Sequence, residues 1–156
     1  MASSRYGHIV VAIDGSTNSE EALAAAIDLA GQYHSELTIL TVAPLIPVYL
    51  PTAGPYMSAP IPRSDAALYQ GLVDAAVKKA QDAGVRPVTG VCLEGVVVDE
   101  ILGFLERTSC DLVVVGSRGL SVGKRLLIGS ISSALVTHAP CPVLVERGRT
   151  ATKPSG

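Results

Sequence analysis

Residues 113–130 read VVVGSRGLSVGKRLLIGS, and this stretch predicts the fold around it. The apolar run from Leu112 to Val115 has the length and the β-branched content of a buried strand. Gly116 and Gly119 interrupt that run, and Gly129-Ser130 opens a segment with a helical pattern. The order is therefore a strand, a glycine-bearing loop and the start of a helix.

The same order of elements predicts a site for phosphate. Because glycine has no Cβ and can take a positive φ, the backbone N–H groups at Gly116 and Gly119 could approach an anion closely. Ser130, Ile131 and Ser132 would lie at a helix N-terminus, where unpaired N–H groups and the helix dipole favour phosphate. Plain helix capping is the alternative for the two serines.

Arg118 lies between the first two glycines of this stretch. Its guanidinium could pair with two phosphate oxygens, or it could be a solvated charge on the loop. Lys124 and Arg125 follow in the spacer, where a solvated loop is the simpler interpretation of both. The residues alone do not decide the role of Arg118.

Other glycine loops fail on spacing. The loop of P-loop nucleotidases requires a serine or threonine after Gly-Lys, whereas Gly123-Lys124 precedes Arg125. A dinucleotide fold places its glycines directly after the first strand, where this chain has Asp14-Gly15-Ser16. A phospho-aspartate receiver domain requires an acidic cluster after that strand and a lysine at a strand end, and the chain has neither.

Strand and helix patterns alternate along the whole sequence. Apolar and β-branched runs predict five strands at His8–Ile13, Leu37–Val42, Arg86–Leu93 with an interruption at Gly90, Leu112–Val115 and Pro142–Glu146. Amphipathic patterns predict four helices, at 21–32 behind a capping box of Thr17 and Glu20, from Ser64 or Asp65 to about Ala83, around Val97–Leu105, and at Ser130–Thr137. This alternation predicts an α/β fold with one doubly wound, five-stranded parallel sheet and helices on both faces.

The spacing Gly116-x2-Gly119-x9-Gly129-Ser130 resembles the nucleotide-binding signature of the universal stress protein family, in its ATP-binding subgroup. The first strand with its turn, Ile9 to Ser16, and the last strand, Pro140 to Val145, also resemble that family. The resemblance implies a Rossmann-like fold similar to the adenine nucleotide alpha hydrolases. It also implies the strand order 3-2-1-4-5.

That strand order reverses between strands 1 and 4, and ligands of such sheets bind beyond the strand ends at the reversal. Asp14 follows strand 1 and Gly116 ends strand 4. The resemblance makes Asp14 an acceptor for a ribose hydroxyl or a metal-bound water, although a turn residue is the alternative. It also makes Val42 and Ala12 backbone or van der Waals contacts of the nucleotide.

The resemblance implies a protein that binds ATP, with Mg²⁺ as a candidate companion, and acts as a nucleotide-dependent sensor or regulator in stress response. The sequence leaves open the choice among ATP, ADP, AMP and cyclic nucleotides. A slow ATP hydrolase, and a dimeric interaction module with incidental nucleotide binding, are the alternatives. Enzymatic activity beyond weak hydrolysis finds little support, because the sequence shows no Ser-His-Asp order or paired carboxylates. His8, His34 and His138 all fall outside the predicted crevice.

Composition excludes several classes of protein. A net charge of −2 gives no electrostatic footprint for nucleic acid or an anionic membrane, and no apolar run approaches the length of a membrane span. Cys92, Cys110 and Cys141 lack the close spacing of a zinc site, and we expect them to be buried, reduced thiols. These features predict a cytoplasmic location.

Three expectations concern the periphery of the domain. We expect one domain over residues 1–147 and a flexible tail over residues 148–156. Val143, Leu144 and Val145 form an apolar edge strand, which predicts a homodimer through strand 5, in line with the family resemblance. The proline-rich segment Pro44–Pro62 is long for a connection, so we hypothesise a lid over the nucleotide.

Overall fold

The computed structural model of the chain describes residues 4–45, 66–117 and 128–148. Strands and helices alternate through these ranges. The elements are β1 (His8–Ala12), α1 (Thr17–Tyr33), β2 (Glu36–Pro44), α2 (Ala66–Asp82), β3 (Val88–Gly95), α3 (Val97–Arg107), β4 (Leu112–Gly116), α4 (Ser130–His138) and β5 (Val143–Glu146).

The strands form one five-stranded sheet in the order β3-β2-β1-β4-β5, and every neighbouring pair is parallel. This confirms the predicted fold class and strand order. Strand β1 is central, with Val11 in register with Ile39 of β2 and with Val114 of β4. The chain therefore reverses its direction of strand addition beside β1, which opens a crevice at the carboxyl ends of β1 and β4.

Two apolar cores lie on opposite faces of the sheet, because successive side chains of a strand point to opposite sides. Ile9 and Val11 of β1 are fully buried in a core with the alanine-rich faces of α1 and α2. Val10 is equally buried on the other face, in a core with Leu105 of α3 and Leu135 of α4. Burial on both faces explains why the strand sequences are continuous apolar runs rather than alternating ones.

The N-cap of helix α1 lies one residue before the predicted one, at Ser16 rather than Thr17. Ser16 is the N-cap, with extended backbone at φ −74° and ψ 159°, and its side chain accepts a hydrogen bond from the Ser19 N–H at 3.2 Å. Thr17 is already helical, so its predicted capping role with Glu20 is wrong. The turn after β1 places Ser16, rather than Thr17, in the non-helical conformation that a cap requires.

Strand β3 also differs from its predicted course. It begins at Val88 rather than Arg86, and it passes through Gly90 without interruption to Gly95. A Cβ on Gly90 would lie 2.5 Å from Val73 Cγ1, so the glycine allows α2 to pack closely against the strand. The glycine thus reflects helix–sheet packing and not a break in the ladder.

Several expectations fall wholly or largely on residues outside the described ranges. These are the caps at Ser64 or Asp65, most of the hypothesised lid at Pro44–Pro62, and residues 149–156 of the expected tail. Among the residues that are described, none of the helices combines the length and the hydropathy that a bilayer-spanning segment requires.

Candidate functional site

A cleft of about 230 Å³ opens at the carboxyl ends of β1, β2 and β4, where the strand order reverses. Elements from both sides of the sheet contribute to its wall. Eight of the ten residues predicted for the site line this cleft, namely Ala12, Asp14, Val42, Gly116, Gly129, Ser130, Ile131 and Ser132. The other two, Arg118 and Gly119, lie outside the described residues, as do Lys124 and Arg125.

Asp14 stands directly after β1, at the edge of the cleft, and is half-buried. Its Oδ1 accepts a hydrogen bond from the Ser16 N–H at 2.9 Å, which stabilises the turn that leads into α1. Its Oδ2 has no hydrogen-bond partner among the described residues. The carboxylate can therefore hold the turn with one oxygen and accept from a ligand hydroxyl or a metal-bound water with the other.

The N-terminus of α4 faces the cleft without a side-chain cap. Gly129 is the N-cap, with extended backbone at φ −61° and ψ 161°, and it has no side chain to satisfy the first N–H groups of the helix. The N–H groups of Ser130, Ile131 and Ser132 are the ones that an α-helix leaves unpaired at this end. Their positive potential favours an anion at this wall of the cleft.

The two ends of the segment between β4 and α4 are joined by hydrogen bonds. The Gly129 N–H donates to the carbonyl of Ser117 at 2.6 Å. The buried Ser132 hydroxyl lies 3.1 Å from that same carbonyl and 3.1 Å from the carbonyl of Gly129. We refer to these contacts of Ser117, Gly129 and Ser132 as the clasp. Because the Ser132 hydroxyl donates within the clasp, its contribution to a ligand is restricted to accepting a hydrogen bond.

Gly116 lines the cleft, but the structure gives a different reason for its lack of a side chain. Its φ is not among the positive values found at glycines in the described residues. A Cβ would lie 2.8 Å from both the backbone carbon and the backbone oxygen of Asn18 in the first turn of α1. Glycine here lets α1 approach the end of β4, so close approach to an anion is not needed to explain this residue.

The floor of the cleft is apolar and held by backbone hydrogen bonds. Ala12 ends β1 there, whereas Val42 lies two residues before the end of β2, because pairing with β3 continues to Pro44 rather than ending at Val42 as predicted. Both residues line the cleft and belong to the core on the α3 and α4 side. The hydroxyl of Thr41, which is 1% exposed, donates to the Ile13 carbonyl at 2.7 Å and ties β2 to the turn after β1. A rigid apolar floor of this kind suits a flat heterocycle, which can use main-chain groups at strand ends for its polar edge.

The sequence interpretation missed contributions from α2 and α3. Tyr69 of α2, Val97 and Ile101 of α3, and Pro44 at the end of β2 all line the cleft. Tyr69 is half-buried and adds the aromatic surface that the floor lacks. The apolar face of α3 was visible in the sequence, but nothing local indicated that its first turn, or that of α2, reaches the crevice.

The charged and titratable side chains around the cleft are few. Asp14 is the one ionisable carboxylate among the described lining residues, and none of the three histidines lines the cleft. His8 instead lies 2.8 Å from the hydroxyl of Thr38 through its Nε2, at the opposite end of the sheet. The described part of the site therefore offers N–H groups, hydroxyls, one carboxylate and an apolar floor.

Residues 5–147 match the family model described as the Universal stress protein family. A universal stress protein of Methanocaldococcus jannaschii is 34% identical over 144 residues, which cover 91% of this chain and 82% of the relative. The universal stress protein YxiE of Bacillus subtilis is 34% identical over 148 residues, covering 91% of this chain and 99% of that protein.

Solved structures of the same family share the fold. The universal stress protein UspA of Lactobacillus plantarum has a TM-score of 0.67 at 25% identity, covering 92% of this chain and 99% of its own. A universal stress protein in complex with cAMP superposes at 0.67 with 24% identity, over 92% and 98% of the two chains. A family member from Arabidopsis thaliana with AMP bound superposes at 0.63 with 22% identity, over 95% and 96%.

Proposed function

Because this chain belongs to the universal stress protein family, we propose that it binds ATP in the cleft and acts as a nucleotide-dependent regulator in stress response. The observation that carries the proposal is the uncapped N-terminus of α4 beside an apolar floor at the strand reversal. One wall favours phosphate and the floor favours a base, so an adenine nucleotide matches the chemistry of both.

The family structures that hold AMP and cAMP support an adenine ligand for this chain as well. In our assignment the base lies on the apolar floor near Val42 and Ala12, and the ribose lies at Asp14. The phosphates lie against the N–H groups of Ser130 and Ile131. We include Gly119 and Arg118 as further phosphate contacts on the strength of the sequence spacing alone.

Mg²⁺ can accompany the triphosphate at Asp14. Mg²⁺ usually keeps several waters and binds through one or two carboxylates together with substrate phosphates. Asp14 lines the cleft, and its turn hydrogen bond uses only Oδ1, which supports Oδ2 as the acceptor for a metal-bound water. When bound, the ion would neutralise phosphate charge. This matters because Asp14, the one charged residue among the described residues that line the cleft, is itself negative. Asp14 itself would contribute the acceptor, and the hydrogen bond from the Ser16 N–H to its Oδ1 holds the side chain in the turn.

A calorimetric titration of the purified protein with ATP, ADP, AMP and cAMP tests the proposal. Gly129→Val should abolish detectable binding, because bulk at the N-cap crowds the three N–H groups, each of which contributes ~1.5–3 kcal/mol to a charged ligand. The extended backbone of Gly129 accommodates any residue, so the fold should persist. Gly31→Val is the matched control, because a Cβ at Gly31 meets nothing within 4 Å.

Unchanged affinity in Gly129→Val, or the absence of binding by the wild type to all four nucleotides, would contradict the proposal. Phosphate release measured in the same samples distinguishes a binding protein from the hydrolase alternative. Sustained turnover that is lost in Asp14 variants would favour the enzyme.

We further propose that the protein is a homodimer that pairs through β5 and resides in the cytoplasm. Strand β5 is an edge of the sheet, so one side of its backbone has no strand partner among the residues that the structure describes. Val143 and Val145 pack against the core of the α3 and α4 side, while Leu144 packs against the other core. Pairing between two copies would therefore use the backbone of β5 rather than these side chains. Substituting aspartate at Val143 and Val145 would not test the pairing cleanly, because it would damage the core as well as the edge.

A further inference from the structure

Two cysteine sulfurs meet at the end of the sheet opposite the cleft. Cys110 precedes β4 and Cys141 precedes β5, and because these strands are parallel neighbours their beginnings lie side by side. The Sγ atoms are 3.2 Å apart, with the Cys110 thiol donating to Cys141. Both residues are half-buried, rather than buried as the sequence had suggested, because they lie in connections ahead of the strands.

The backbone around both cysteines is held by hydrogen bonds. The Cys110 N–H donates to the Thr108 carbonyl at 2.7 Å, and the neighbouring Asp111 carboxylate accepts from the His8 N–H at 2.9 Å. Cys141 stands between Pro140 and Pro142, which restrict its backbone, and the Pro142 carbonyl accepts from Val113 N–H at 3.0 Å. The sheet therefore sets the proximity of the two sulfurs.

The surroundings give the two thiols different roles. Both pack against the apolar core on the α3 and α4 side, yet each keeps some exposure to solvent. Burial, followed by the hydrogen bond to Cys141, raises the pKa of the Cys110 thiol to about 12. Because the Cys110 thiol donates its proton toward Cys141, we assign the first attack on an oxidant to the Cys141 sulfur, which accepts that hydrogen bond.

We propose that Cys110 and Cys141 are a redox-active pair that a hydroperoxide converts into a reversible intramolecular disulfide. In the first step the Cys141 sulfur attacks a peroxide oxygen, the O–O bond breaks, and a sulfenic acid and one water (or alcohol) form. In the second step the Cys110 sulfur attacks the sulfenic sulfur, its proton leaves with the hydroxyl as water, and the S–S bond forms. A dithiol reductant reverses the change.

The disulfide would enclose the segment from β4 to α4, which carries the clasp and the α4 wall of the cleft. A loop of roughly 30 residues would be closed in the unfolded chain, and this should raise the melting temperature by roughly 5–10 °C. Transient disulfides of this kind are the ones found in reducing compartments. The inference does not depend on nucleotide binding, since the pair lies at the other end of the sheet.

Mass spectrometry of the full chain tests the proposal. The reduced protein is treated with stoichiometric hydrogen peroxide, the remaining thiols are blocked with N-ethylmaleimide, and the protein is digested with trypsin without reduction. Cleavage after Arg107, Arg118, Arg125 and Arg147 gives peptides 108–118 and 126–147, each with one cysteine. We expect these two peptides to be joined, with a mass lower by two hydrogen atoms, and to separate on adding dithiothreitol.

Cys92 provides the matched control, because it is half-buried on β3 at the far edge of the sheet. In the wild type the number of free thiols should fall from three to one. Cys92→Ser should form the same linked peptides, and Cys110→Ser should not. A thiol count that stays at three, a disulfide that includes Cys92, linked dimers on a non-reducing gel, or sulfinic acid without a disulfide would each overturn the proposal.

Discussion

Replacing Asp14 by asparagine separates the two roles that the structure allows for this side chain. Its Oδ1 accepts from the Ser16 N–H at 2.9 Å, which is a folding contact, while Oδ2 is assigned to the ligand. Asparagine keeps an oxygen for the Ser16 N–H but presents an uncharged amide in place of the second oxygen. Alanine removes both acceptors.

The expected magnitudes follow from these two contacts. In Asp14→Asn the nucleotide loses a charge-assisted hydrogen bond worth ~1.5–3 kcal/mol, so its affinity should fall by about 10- to 150-fold. The free energy of unfolding of the unliganded protein should change by less than about 0.5 kcal/mol, because the turn contact remains. In Asp14→Ala the affinity should fall similarly, and the stability should fall by a further ~1 kcal/mol.

Calorimetry with ATP, together with urea unfolding of the unliganded proteins, measures both quantities. Ser16→Ala serves as a control, because it removes the N-cap of α1 while the carboxylate stays in place. It should lose stability by ~1 kcal/mol and keep most of its affinity. If Asp14→Asn binds ATP as the wild type does, the carboxylate is a turn residue and its assignment to the ligand is refuted.

Four further predictions concern packing, the sheet edge and the thiols. Gly116→Ala should lower the free energy of unfolding by ~1–3 kcal/mol, because its Cβ would lie 2.8 Å from backbone atoms of Asn18, and a urea midpoint equal to that of the wild type would contradict this. Gly90→Ala combined with Val73→Ala should cost less in urea unfolding than the sum of the single changes, since the new methyl meets Val73 Cγ1 at 2.5 Å, and strict additivity would count against the proposed contact. If β5 is the dimer edge, hydrogen exchange of the amides in Val143–Glu146 should slow as the protein concentration rises, whereas exchange of the amides in the other edge strand, Val88–Gly95, should stay the same. Light scattering should show the matching increase in mass, and a monomer at high micromolar concentration would dismiss the idea. Burial and the hydrogen bond to Cys141 raise the pKa of the Cys110 thiol from 9.0 to about 12 in the folded protein, so the stability that this thiol contributes is complete below pH 9 and is lost as the pH rises toward 12. The decline in the free energy of unfolding between pH 9 and pH 12, measured with urea, should therefore be smaller in Cys110→Ser than in the wild type.

The sheet could be predicted because its signals are local and strong. Strands such as Leu112–Gly116 are buried on both faces of the sheet, so apolar residues are favoured at every position. A continuous apolar run in the sequence therefore predicts such a strand without any information from distant residues. The strand order came from the family resemblance, since periodicity alone does not order parallel strands. That order predicts that Asp14 and Gly116 lie beside one crevice, and both residues line the cleft.

The remaining details depend on contacts between distant parts of the chain. Gly90 and Gly116 are both glycines within or at the end of apolar strand segments, and neither sequence neighbourhood explains the glycine. The helices packed against them do, because a Cβ at either position would clash with a helix. Tyr69 reaches the cleft because α2 packs across the sheet, which no spacing within α2 reveals. The pairing of Cys110 with Cys141 was likewise invisible, because their separation along the chain matches no known motif.

The clasp has a consequence for how this protein can be altered. Its hydrogen bonds join Ser117, directly after β4, to Gly129 and Ser132 at the start of α4, so the two ends of this connection are held together. With both ends held in this way, doubling the number of residues between them should cost only ~0.6 kcal/mol of loop-closure free energy. Ligand preference could then change through residues of this connection, in nature or by design, while the sheet and both cores stay the same.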